Sequence, residues 1–187
     1  MTTPPPSATI RPLAIGLAIL LLSAAHAVPG TIASVPAVEV LYAPEDEPLT
    51  HVVELYDRAA RYVYVAVYGL TSPLAVKSLV EARKRGIDVR IITDRERATD
   101  EKQQVALSTL RMAGIPIKVN RHDSLMHLKQ VVIDDEVNTN GSMNHTTSGN
   151  RYNDERLDVI RDRAISIKAR EKFLSMWKDE ERFEEWK

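Results

Sequence analysis

Residues 62–70, YVYVAVYGL, are almost all β-branched, aromatic or aliphatic, the composition of a buried strand. Helical patterns stand on both sides of it. Leu49–Arg61 reads as an amphipathic helix behind the acidic stretch Glu45–Glu47, and Pro73–Arg85 as a second helix closed by Gly86. The alternation continues with a strand at Ile87–Thr93, a helix at Asp100–Ala113 closed by Gly114, and a strand at Ile115–Val119. Val38–Tyr42 reads as the first strand, Leu157–Ile160 as the last, and Ala164–Trp186 as a long terminal helix with a charged outer face. Strands alternating with helices predict an α/β fold in which a mixed β-sheet is sandwiched between helices. With 187 residues, 44% of them hydrophobic, the chain has material for one domain, expected over residues 38–187.

Residues 1–27 read as a secretory signal. Arg11 precedes the apolar run Leu13–Leu22, and Ala25-His26-Ala27 has the small-residue form of a cleavage site. The run is short for a membrane span, so no stable anchor is expected once the leader is removed. Residues 28–37 read as a linker. The chain has no cysteine, which excludes a lipoprotein anchor, disulfides and thiolate metal sites. Export without cysteine suits a periplasmic or secreted protein. The formal charge is −1, and loss of Arg11 makes it one unit more negative, so binding to a polyanion needs a local basic surface.

The chemistry concentrates in His127–Asn144, HLKQVVIDDEVNTNGSMN, which fits H-x-K-x4-D-x6-G-S-x-N at His127, Lys129, Asp134, Gly141, Ser142 and Asn144. The stretch reads as a β-hairpin. Side chains alternate along a strand, so His127, Lys129, Val131 and Ile133 share one face and Asp134 has the opposite parity. A two-residue turn at Asp134-Asp135 places Ser142 opposite His127, with Asn144 just beyond. Gly141 permits a bulge or a close approach to the backbone. An imidazole, an ammonium, a hydroxyl and an amide gathered this way suit phosphodiester chemistry. His127 is the candidate nucleophile, Lys129 and Asn144 the groups that neutralise phosphoryl oxygens, and Ser142 a further phosphate donor or orienter. Asn144 also stands where it can cap a short turn at Thr146–Ser148.

This spaced motif resembles the HKD motif of the phospholipase D superfamily. The combination GSMN, then TSG, then NDE looks most like its small bacterial endonucleases, with one motif per chain, and the resemblance spans Val38 to Lys178. It implies a phospholipase D-like fold and two-step hydrolysis without metal or other cofactor. In that scheme His127 forms a phosphohistidine and the His127 of a second subunit protonates the leaving oxygen. The active site is then shared across a homodimer, and the product carries a 5′-phosphate. The resemblance gives Glu155 the task of orienting His127, with Asp154 as its rival, and makes Asp134 a structural member of the motif.

The implied substrate is nucleic acid, DNA or RNA, cut without sequence preference. Arg151 and Arg156 bracket the motif and are the candidate contacts to its backbone. Few aromatics lie near the motif, so no base-stacking platform is evident. Two other readings stand beside this one. A lipid phosphodiesterase would need an apolar acyl groove or membrane-facing loops, and the sequence shows neither clearly. A catalytically silent nucleic-acid-binding dimer is disfavoured by the intact His127, Lys129 and Asn144. Of the remaining histidines, His51 is expected on a helix surface, His122 with Asp123 lacks a metal-binding spacing, and His145 is left to pack or face the groove.

Overall fold

The computed structural model describes residues 1–3 and 37–187. Apart from Met1–Thr3 and Ala37, the expected leader and linker lie outside the described residues. The chain from Val38 onward builds one eight-stranded mixed sheet, in the order β1-β7-β6-β5-β2-β3-β4-β8. The strands are β1 (Val38–Ala43), β2 (Tyr62–Val67), β3 (Asp88–Thr93), β4 (Ile117–Asn120), β5 (Lys129–Ile133), β6 (Val137–Gly141), β7 (Glu155–Ile160) and β8 (Phe183–Glu185). β2, β3 and β4 are parallel neighbours, and every other pairing is antiparallel. The helices are α1 (Pro48–Arg58), α2 (Pro73–Lys84), α3 (Glu101–Met112), α4 (Thr147–Arg151) and α5 (Arg163–Lys178).

The sandwich follows from the strand at the centre. All six residues of β2 are buried, which a strand achieves only when both faces are covered. Val63, Val65 and Val67 point into a core built with Leu49, Val52 and Tyr56 of α1, Ala75 and Leu79 of α2, and Leu107 and Leu110 of α3. Tyr62, Tyr64 and Ala66 point the other way, onto Ala169, Phe173 and Met176 of α5. There the rings of Tyr62, Tyr64, Phe173 and Trp177 run in one stack, with centroids 4.4, 4.9 and 5.8 Å apart. Phe173 is fully buried in it, so truncation to alanine should cost about 3–5 kcal/mol.

Two expectations about the strands need correction. The long terminal helix ends at Lys178, and the chain returns as β8 alongside β4. Phe183 joins the core under α5 while Trp186 packs on the core under α1–α3. Residues three apart share a face on a helix but take opposite faces on a strand, so this pair requires the strand. The hairpin also differs: Val131 faces Thr139 and Ile133 faces Val137, so its loop is the three residues Asp134–Glu136. Asp134 and Asp135 both have positive φ, 55° and 62°, and the Glu136 N–H donates to the Ile133 carbonyl. The register moves by one residue, and Ser142 no longer falls opposite His127.

Buried partners hold that loop. The Asp134 carboxylate accepts from the backbone N–H groups of Ala60, Arg61 and Tyr62 at 2.7–2.9 Å, and its carbonyl accepts from the Arg61 guanidinium. The Asp135 carboxylate lies 2.7 Å from the Arg170 guanidinium and accepts from the Tyr62 hydroxyl at 2.9 Å. The hairpin tip is thus tied to the start of β2 and to α5.

Candidate active site

The C-terminal ends of β1, β2 and β6 and the N-terminal ends of β5 and β7 meet at one end of the sheet. In the ladder Val67 stands opposite Lys129 and Ala43 opposite Glu155. This end carries His127, Lys129, Ser142, Asn144 and Glu155.

His127 lies two residues before β5 and its side chain is exposed. Its ring meets the Tyr68 ring edge-on, centroids 4.9 Å apart. Lys129 is buried. Its Nζ donates to the His127 carbonyl at 3.0 Å and stands 5.4 Å from the centre of the Tyr68 ring. Burial lowers the Lys129 pKa, because removing an ammonium from water penalises its charged form, and the Glu155 carboxylate pulls it part of the way back. An anionic phosphate here would add to the Glu155 effect and keep the ammonium charged.

Asn144 does not cap α4. Thr146 does, its Oγ1 accepting from the Gly149 N–H at 2.9 Å. Asn144 instead accepts the Gly69 N–H on Oδ1 at 3.0 Å, which fixes the amide and assigns its NH₂ to the free end. Gly69 packs closely on this amide: a Cβ there would come within 3.3 Å of the Asn144 side chain and press on it. Gly141 has to be small: a Cβ would collide with the Arg156 carbonyl of the neighbouring strand.

Ser142 Oγ donates to Glu155 at 2.5 Å and accepts from the Arg156 N–H at 3.1 Å. The other Glu155 oxygen accepts from Asn153 at 3.2 Å. Glu155 is therefore engaged with Ser142 and Asn153, and the expected carboxylate–imidazole pair does not form within the chain. Among the described residues no carboxylate lies within ion-pairing distance of the His127 ring, Asp154 included. Arg151 pairs with Glu47 at 3.3 Å and Arg156 with Asp158 at 2.8 Å, so both candidate backbone contacts already face carboxylates. His145 packs: it is fully buried, with Nδ1 3.2 Å from the Tyr56 hydroxyl.

Three residue sets at this end escaped sequence reasoning. Tyr68 touches both His127 and Lys129. Lys172 and Arg182 line the groove that holds His127, and Arg97 and Lys102 the groove that holds Asn144. These cations come from α3, α5 and the loops beside them, so no local spacing announces them. Ser142, Glu155 and Arg156 open on a third groove with Tyr42 and Asp46. The Asn144 groove also runs into an apolar trough between α2 and α3, lined by Val76, Val80, Val105 and Ala106. The sequence had shown no such apolar surface. Among the described residues no group of three or more His, Asp or Glu side chains could hold a metal ion, and no helix is long and apolar enough to cross a membrane.

A sheet-end site built from a histidine, a buried lysine and an asparagine beside a hairpin is the arrangement that the motif implied. Residues 52–177 match the family described as "Cardiolipin synthase, PLD-like domain", and the chain belongs to that family. It is 31% identical over 122 residues to a phospholipase D of Rickettsia felis, covering 65% of this chain and 58% of that protein. It is 27% identical over 134 residues to a mitochondrial cardiolipin hydrolase of Xenopus tropicalis, covering 72% of this chain and 63% of that one. The chain thus spans less than two thirds of these relatives' length. The crystal structure of Nuc, a phospholipase D family member from Salmonella typhimurium, superposes with a TM-score of 0.74 at 25% identity, covering 80% of this chain and 97% of that one. The mixed sheet with flanking helices is the phospholipase D-like fold.

Proposed function

We propose that this protein is a metal-independent, non-specific endonuclease that hydrolyses phosphodiester bonds through a covalent phosphohistidine, with its active site completed by a second copy of the chain. The observation that carries this reading is the open sheet end at which Tyr68 and Gly69 link His127, Lys129 and Asn144, with Lys102, Lys172 and Arg182 in the adjoining grooves. An open, cation-flanked surface admits a polymer backbone lying across it, where phosphate contacts give affinity without reading sequence. The near-complete coverage of Nuc supports a small single-motif enzyme.

In this scheme the neutral His127 ring attacks phosphorus, an N–P bond forms, and the P–O bond to the 3′-oxygen breaks. The protonated His127 of the second copy gives its proton to that oxygen. The same imidazole then takes a proton from water, whose oxygen attacks phosphorus as the N–P bond breaks, freeing the first His127 and releasing a 5′-phosphate. Lys129 and the Asn144 amide stabilise charge on the phosphoryl oxygens. Ser142, held by Glu155, supports them from just past β6.

A second reading is favoured by one observation. The apolar trough between α2 and α3 joins the Asn144 groove, with Lys77 and Lys102 at its margin, as an acyl chain beside a phosphate would require. The lipid-directed names of the relatives point the same way. The purified chain, assayed with excess EDTA on plasmid DNA, RNA and cardiolipin vesicles side by side, separates the two. Nicking of plasmid in EDTA is the expected result. Turnover of cardiolipin alone would establish the lipid reading, and activity abolished by EDTA and restored by Mg²⁺ would require a metal-dependent mechanism.

A further inference from the structure

We infer that Gln103 is a positioning residue for the phosphodiester site, acting through the segment Tyr68–Leu70; this rests on the reading of that site as catalytic. Gln103 lies in the first turn of α3 and is fully buried. It occupies the apolar stripe that continues through Ala106, Leu107 and Leu110, where an apolar side chain would satisfy packing. Its amide is instead used at both ends. Nε2 donates to the Tyr68 carbonyl at 3.2 Å and to Thr93 Oγ1 at 2.9 Å, while Oε1 accepts from the Leu70 N–H at 2.9 Å. Thr93 Oγ1 in turn donates to the Tyr68 carbonyl at 3.1 Å. The orientation is unambiguous, because a carbonyl can only accept and a backbone N–H can only donate.

The clamped segment is the one that places the reacting groups. Its Tyr68 ring bears on His127 and lies under Lys129, and its Gly69 N–H holds Asn144. One buried amide therefore fixes the support of three motif residues, one at the start of β5, one just before it and one just beyond β6. Small displacements of such a support are amplified in rate, because the nucleophile and the oxyanion donors must keep a common geometry. Gln103 touches no reacting atom, so its removal should lower turnover far more than substrate affinity.

The test uses Gln103→Leu, which keeps the bulk and removes both functions, and Thr93→Val, which removes only the hydroxyl from the same network. For whichever diester the wild type cleaves, kcat should fall about tenfold to a hundredfold in Gln103→Leu with KM changed less than about threefold. Thr93→Val should fall in the same direction by less, and it carries the test if Gln103→Leu does not fold. The His127 imidazole resonances should shift in both variants as the Tyr68 ring moves, while those of His51 stay put. Wild-type kcat with unmoved His127 resonances in a folded variant would overturn the proposal. Failure of the wild type to cleave any diester would overturn the catalytic reading instead, leaving the resonances to decide the positioning role.

Discussion

His127 and His145 flank the same motif and meet opposite surroundings. His127 stands in solvent against one ring edge. His145 is sealed beside Tyr56, and burial pushes its pKa down from 6.5 to about 4, since nothing there repays the charged form for lost hydration. That depression makes it acid-sensitive. Above pH 6.5 both folded and unfolded chains hold it neutral. As the pH falls from 6.5 toward 4 the unfolded chain takes up the proton first, so stability is lost across that window and no further below it. The full effect is about 3 kcal/mol. Urea unfolding at pH 7 and pH 4.5 should show a stability loss that shrinks by about 2 kcal/mol in His145→Phe. Equal losses in wild type and variant would mean that His145 accepts its proton without disturbing the fold.

The hairpin shows what a single element inherits from its neighbours. Asp134 gathers three backbone N–H groups at the start of β2, and its backbone sits at positive φ. Asp134→Ala leaves three donors without an acceptor and puts a poor residue at that φ. It should destabilise the chain by about 3–5 kcal/mol, and Asp134→Asn by about half as much, read from chemical denaturation. A loss under about 1 kcal/mol for the alanine variant would show that water replaces the carboxylate. The sequence made the hairpin, its motif residues and the central strand legible, because alternation and composition act over a few positions. It left the extra loop residue unseen, since that is set by Tyr62 and Arg170, far away in the chain. Tyr68 and Gln103 were unread for the same reason: their importance lies in what the sheet brings to them. A polar residue on the buried stripe of α3 was the one local sign. β8 was mistaken for helix because its charged residues suit either element, and only the empty edge of β4 decides between them.

At the scale of the whole molecule, the proposed reaction needs a proton delivered to the leaving group, and each chain offers one exposed histidine in the motif. A two-fold axis beside the hairpin would supply the second. Mixing His127→Ala subunits with wild type should reduce activity as the square of the wild-type fraction, measured after subunit exchange. A linear fall would place the whole site in one chain.

The two tryptophans have a further consequence. Trp177 lies beneath Arg90 and Lys118, and Trp186 beneath Arg111 with its backbone N–H donating to the Ile117 carbonyl, so both border β4. Neither lines the grooves that hold His127 or Asn144. Tryptophan emission, excited selectively over the tyrosines, is accordingly a spectroscopic gauge of β4 and the α5 ring stack rather than of the grooves at the reacting end. Peeling of β8 ahead of global unfolding would register as an emission change that precedes the loss of far-UV ellipticity.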